Sequence, residues 1–219
     1  MKSVLVIGMG RFGIHLARRM QELKNDVMVV DRNPNIADEL TPIFSDVQIG
    51  DCTRETVLRS FGVSNFDICF VTIGENFQSS LEITSLLKDM GAKYVIAKAN
   101  REIQGKFLLR NGADEVIYPE KEMAEHLALR LNSNNVFDFI ELTPEFAIFE
   151  LPVMSSWAGK SIASINVRRK YNVNIIAIKG ANKRISTMPE PDYIFKEDDH
   201  IIAAGRQADL MKMSNKIKD

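Results

Sequence analysis

At 219 residues the chain exceeds one average domain and falls short of two large ones, so one full α/β domain with a smaller module is expected. With 45% apolar and 26% charged residues it can fill a core, and 28 basic against 29 acidic side chains leave a net charge of −1, which argues against a nucleic-acid polymer as partner. Two cysteines, Cys52 and Cys69, form no Cys-x-x-Cys and have no companion histidines, which excludes a structural zinc set and makes a reduced, cytoplasmic protein the expectation. No apolar stretch approaches the roughly 20 residues that cross a bilayer.

In chain order, short β-type runs alternate with amphipathic stretches through the first 130 residues, the signature of βαβ units. The strands read as Val4 to Ile7, Val27 to Asp31, Val47 to Gly50, Ile68 to Ile73, Tyr94 to Ala99 and Glu115 to Tyr118. Several are almost wholly apolar, as parallel strands covered on both faces are. The first helix places Leu16, Met20 and Leu23 on one face, Asn33-Pro34 supplies an N-cap with proline at N1, and Thr53 is placed to cap the next helix. A further helix from Glu120 carries Met123, Leu127 and Leu131 and ends in Asn132-Ser133-Asn134-Asn135, where a boundary between residues 1–133 and 134–219 is expected. Beyond it come β runs at Phe146 to Val153, Ile175 to Lys179, Arg184 to Met188 and His200 to Ala204, with helices from about Ser161 and about Gln207. Gly180 to Lys183 reads as a hairpin connection. The fold class is therefore a Rossmann-like doubly wound parallel sheet followed by a small α+β module.

Gly8-Met9-Gly10-Arg11-Phe12-Gly13 follows the first strand and opens the first helix. Gly8 permits the tight turn, Gly10 lets backbone approach a pyrophosphate, and Gly13 seats the helix on the sheet with its amides aimed at the phosphates. Asp31, ending the second strand, stands where a ribose-binding carboxylate belongs, and beside Arg32 it favours a ribose without a 2′-phosphate. Asp51-Cys52 and Ile73-Gly74-Glu75 occupy the strand ends that should face adenine. Three histidines, His15, His126 and His200, are scattered, and no acid/base cluster of a dehydrogenase is visible. A nucleotide is expected to be sensed and not turned over. The competing reading is a small NAD(P)-dependent oxidoreductase; a transcription sensor would require a basic DNA-reading helix, which is not seen.

The segments V-I-G-M-G-R-F-G, V-V-D-R-N, G-D-C-T, V-T-I-G-E-N-F-Q-S-S, A-K-A-N, N-G-A-D-E-V-I-Y-P-E-K-E-M-A and G-K-S-I-A-S-I-N-V-R-R-K-Y-N-V-N-I-I-A-I-K resemble the cytoplasmic regulatory subunits of bacterial Trk/Ktr potassium transport systems, over essentially the whole chain. Such subunits join an RCK (or KTN) domain to an RCK-C module. The resemblance implies a homo-oligomeric ring, typically of eight subunits, under a membrane potassium translocation subunit, changing shape as ATP, ADP or NAD(H) occupies each cleft. It implies that Arg11 reaches a terminal phosphate across a subunit interface, and that Phe12 belongs to the phosphate loop. It further implies that Asp31, Arg32 and Asn33 hold ribose, Asp51 and Cys52 the adenine side, Ile73 to Glu75 a covering loop, and Lys98, Ala99, Asn100 and Gln104 the far wall. Glu120 matches an acid near the phosphates. A carboxylate there requires an intervening cation, for which Mg²⁺ or Ca²⁺ suits oxygen ligands; the alternative is a helix-start acid stabilised by the dipole. In some relatives the second module binds cyclic di-AMP, which would place Ile162, Arg168 and Asn174 against that ligand, although Ala163 and Asn166 depart from the pattern and Arg168-Arg169 also reads as an exposed basic pair.

Overall fold

The computed structural model describes residues 1–132 and 135–217. The chain divides into two compact units, Met1–Met123 and Ala124–Asp219. The division falls inside the helix Pro119–Asn132; the polar tetrapeptide read as a boundary stands at that helix's end, and its Ser133 and Asn134 lie outside the described residues.

The first unit carries six parallel strands, β1 (Ser3–Ile7), β2 (Asp26–Asp31), β3 (Asp46–Ile49), β4 (Ile68–Val71), β5 (Val95–Lys98) and β6 (Glu115–Ile117), in the order β3-β2-β1-β4-β5-β6. Successive side chains of a strand point to opposite faces, and β1 shows this directly: Leu5 and Ile7 join one buried cluster with Leu58, Ile83 and Leu108, whereas Val4 and Val6 join the other with Ala17, Leu40 and Phe44. Covering the sheet are α1 (Arg11–Glu22), α2 (Pro34–Leu40), α3 (Glu55–Phe61), α4 (Phe77–Asp89) and α5 (Glu102–Arg110), with α6 (Pro119–Asn132) leaving the unit. Strand order reverses between β1 and β4, so their carboxyl ends frame a crevice.

Two local expectations are corrected. Leu23 is exposed because α1 has ended and residue 23 is its C-cap; the face that packs carries Leu16 and Met20 with Ala17 beneath them. Thr53 does not cap α3, whose N-cap is Arg54, because its hydroxyl is held by Asp51. The apolar Met123, Leu127 and Leu131 that α6 carries are exposed and, among the described residues, join no buried cluster. Asn33 caps α2 through Asn35 with Pro34 at N1, as read.

In the second unit β7 (Asp138–Glu141), β8 (Phe146–Pro152), β9 (Val173–Lys179), β10 (Ile185–Thr187) and β11 (His200–Arg206) form an antiparallel sheet, order β10-β9-β11-β8-β7. Ala147, Phe149 and Leu151 alternate inward along β8 against Ile201 and Leu210. Trp157 packs between Tyr171 and Phe195. The helix expected from Ser161 is two short helices, α7 (Ile162–Ile165) and α8 (Val167–Tyr171), broken at Asn166, whose φ is 55°. α9 (Gln207–Ser214) closes the fold. β7 was not anticipated: it is four residues at a sheet edge with one buried side chain, too short to show an alternation. Among the described residues no helix is long and apolar enough to cross a membrane.

Candidate functional site

A cavity of about 720 Å³ opens at the carboxyl ends of the parallel strands, a volume typical of small-molecule sites. Its floor is the turn after β1. Gly8 adopts φ +95°, a left-handed conformation that a side chain would strain, and its amide donates to Val30 O of β2 at 2.9 Å. At Gly13 a Cβ would lie 2.3 Å from Gly8 O, so only glycine lets α1 sit this close to the turn. Thr72 Oγ1 donates to Gly8 O at 2.5 Å, pinning the same carbonyl from the β4 side. Gly10 differs from both. Its φ is −72° and nothing lies within 4 Å of an added Cβ, so nothing within the chain demands glycine there; open space for a ligand's approach is what the missing side chain leaves.

Asp31 is bound to this turn: its Oδ2 accepts from Met9 N at 2.7 Å and its Oδ1 from Asn33 N at 2.9 Å. Each carboxylate oxygen has further lone-pair capacity toward the cavity that Asp31 lines. Arg11, first residue of α1, and Phe12 line the phosphate-loop side, and Arg32, Asp51 and Cys52 the opposite side. The hydroxyl and amide of Thr53 hold the Asp51 carboxyl below its ordinary value. Burial, with Asp51 and Asp31 nearby, pushes the Cys52 thiol up to about 12, leaving it protonated and unreactive at neutral pH. Ile73, Gly74 and Glu75 line the edge after β4.

At the far end Lys98 Nζ, at the end of β5, meets Glu120 Oε1 at 2.5 Å and stands 5.9 Å from the Phe12 ring centroid. The Lys98 side chain is 10% exposed and that of Glu120 68%. The bond from Lys98 draws the Glu120 carboxyl below its usual range. Asn100, Ala99 and Gln104 do not line the cavity. They stand behind it: Ala99 is buried, Asn100 Nδ2 donates to Gly74 O at 2.8 Å, and Gln104 Oε1 accepts from Asn100 N. Asn33 and Gly13 likewise support the site without lining it.

Nine lining residues escaped the sequence reading of the site, among them the polar Thr53, Thr72, Asn76 and Ser79. Asn76 was findable, since an asparagine before an amphipathic run signals an N-cap; here it caps α4 through Ser79 N at 3.1 Å. Thr72 carried no such signal.

The chain alone supplies no complete divalent-ion site at Glu120, so an ion there would take its other ligands from a bound nucleotide's phosphates. Glu120 is a single carboxylate with an ammonium already on one oxygen, and no three His, Cys, Asp or Glu gather anywhere among the described residues. None of the three histidines lines the cavity: His15 is exposed on α1, His126 stacks on Phe139, and His200 Nδ1 bonds Glu150 Oε1 at 2.8 Å. In the second unit Arg168 Nε donates to Asn174 Oδ1 at 2.7 Å, while Ile162 packs against the core of that unit.

A doubly wound parallel sheet whose Gly-rich turn, helix N-terminus and strand-end aspartate surround one cavity is a Rossmann-type ligand-binding unit, here followed by an antiparallel module. The family model of the TrkA-N domain matches residues 4–119 and that of the TrkA-C domain residues 146–218; the chain belongs to this TrkA family. It is 35% identical to Ktr system potassium uptake protein C of Bacillus subtilis over 99% of this chain and 97% of the relative, and 34% identical to Ktr system potassium uptake protein A of that organism over 98% and 96%. The GsuK channel bound to NAD has the same fold across all of this chain, with a TM-score of 0.70 at 19% identity; this chain spans 40% of that longer one.

Proposed function

We propose that this chain is the cytoplasmic, membrane-peripheral regulatory subunit of a potassium uptake system, sensing an adenine nucleotide in the first unit and gating a membrane potassium translocation subunit. Its relatives are potassium uptake proteins over their full length, which supports the system; the cavity supports the ligand. The observation that carries the ligand reading is Gly10, open to the cavity with no requirement of its own, set between the α1 N-terminus and the Asp31 carboxylate. Phosphates lie over the α1 amides near Arg11, ribose hydroxyls reach Asp31, and the adenine lies along Asp51 and Cys52. ATP, ADP and NAD(H) share these elements, so they take one site. The ring is a homo-octamer, and Arg11, exposed at the start of α1, acts on a terminal phosphate.

The oxidoreductase reading requires an acid or base over a nicotinamide, and the titratable groups lining the cavity are the carboxylates Asp31, Asp51, Glu75 and Glu120, the thiol Cys52, and Lys98, Arg11 and Arg32. The test is potassium flux through vesicles holding the membrane subunit with this chain added. Flux that differs between ATP and ADP, and is lost with Asp31→Ala, is expected; flux indifferent to nucleotide contradicts the regulatory reading. NADH oxidised with a carbonyl substrate would restore the enzyme.

A further inference from the structure

Gly105 lies inside α5, fourth of its nine residues, and glycine is the poorest helix former but proline, so its presence there needs a reason outside the helix. The reason is Tyr118. A Cβ added at Gly105 would overlap Tyr118 Oη and stand 2.9 Å from Cζ, so the end of the Tyr118 ring rests on bare α5 backbone. Tyr118 directly precedes Pro119, which opens α6, and its main chain is tied to the first turn: its amide donates to Glu122 Oε1 at 3.1 Å and its carbonyl accepts from Glu122 N at 2.9 Å. Lys121 of the same turn lies over the Tyr118 ring and donates to Glu102 of α5 at 2.7 Å. The start of α6 is thus seated on α5 through one aromatic ring.

What that seat places is Glu120. Its side chain lines the cavity with two-thirds of its surface in water, so beyond its bond to Lys98 it has little packing of its own and stands where the turn puts it. We infer that Tyr118, seated on Gly105, is the positioning residue for the phosphate end of the ligand: it sets the first turn of α6, and through it the reach of the Glu120 carboxylate toward a cation bridging to the phosphates. This rests on the nucleotide reading above and deepens it. Neither Gly105 nor Tyr118 lines the cavity, so adenosine is blind to both.

The experiment is calorimetric titration of the full chain with ATP and with adenosine, each in Mg²⁺ and in EDTA. Wild type should bind ATP more tightly in Mg²⁺. Gly105→Ala, which drives the ring off its seat, should lose most of that gain, a weakening of about tenfold, the range of one charge-assisted contact, and leave adenosine unchanged. Adding Tyr118→Phe to Gly105→Ala removes the overlapping oxygen and should recover most of the gain. In a Glu120→Gln background Gly105→Ala should cost nothing further, because the two act through one carboxylate. A full Mg²⁺ gain in Gly105→Ala overturns the inference. So does an equal weakening of adenosine, or a loss that the Tyr118→Phe change does not relieve, since either marks a packing defect only. Wild type that binds ATP with no Mg²⁺ gain also overturns it while the nucleotide reading stands, and wild type that binds no nucleotide overturns the reading of the site itself. If Gly105→Ala does not fold, Tyr118→Leu, which empties the seat without an overlap, decides by the same selective loss or its absence.

Discussion

Thr72 follows β4, is buried, and spends its hydroxyl on the carbonyl of Gly8, 64 residues earlier in the chain. The glycine turn is thus held from two sides, by Asp31 through Met9 N and by Thr72 through Gly8 O. Thr72→Val keeps the shape and removes the donor, and should cost about 0.5–1.5 kcal/mol of stability in urea unfolding and weaken ATP binding in parallel; Thr72→Ser should recover both. A valine variant with wild-type ATP affinity would show that the turn holds itself. Residue by residue, Gly8, Asp31 and Asp51 were legible because each sits at or just past a strand end, and Gly10 and Gly13 because their spacing from Gly8 marks a strand-to-helix turn. Thr72 and the Lys98–Glu120 pair were not, since their partners are set by strand neighbours and not by distance along the chain.

The same contrast holds for elements. The strands of the parallel sheet were readable because burial on both faces makes them continuous apolar runs, whereas β7 and the broken α7–α8 pair depend on tertiary position. Across the antiparallel sheet, Glu150 of β8 reaches the adjacent β11 and the strand beyond it, accepting from His200 of β11 at 2.8 Å and from Lys179 of β9 at 2.8 Å. Burial works to raise the Glu150 carboxyl, and these two partners outweigh it, leaving it below its ordinary value of 4.5. A carboxylate lowered on folding stabilises the sheet at pH above its unfolded value and loses that stabilisation as pH falls through the lower, folded value. Glu150→Gln should therefore cost roughly 1–2 kcal/mol at neutral pH and flatten the loss of stability below pH 4.5, as read by urea unfolding across pH. Unaltered acid sensitivity would mean that other carboxylates set it.

For the molecule as a whole, two separately cored units and an α6 bearing exposed Met123, Leu127 and Leu131 suit a chain that buries apolar surface against copies of itself. Light scattering should return the mass of eight chains, and a single-chain mass would contradict the ring. A ring can respond only to a ligand whose affinity differs between its states, so everything begins with what the cavity binds. The deciding measurement is competitive calorimetry of the intact chain with ATP, ADP and NADH. One shared site per chain, with all three ligands weakened by Asp31→Ala, is the result predicted; two independent sites per chain, or loss of only one ligand in the Asp31 variant, would contradict it.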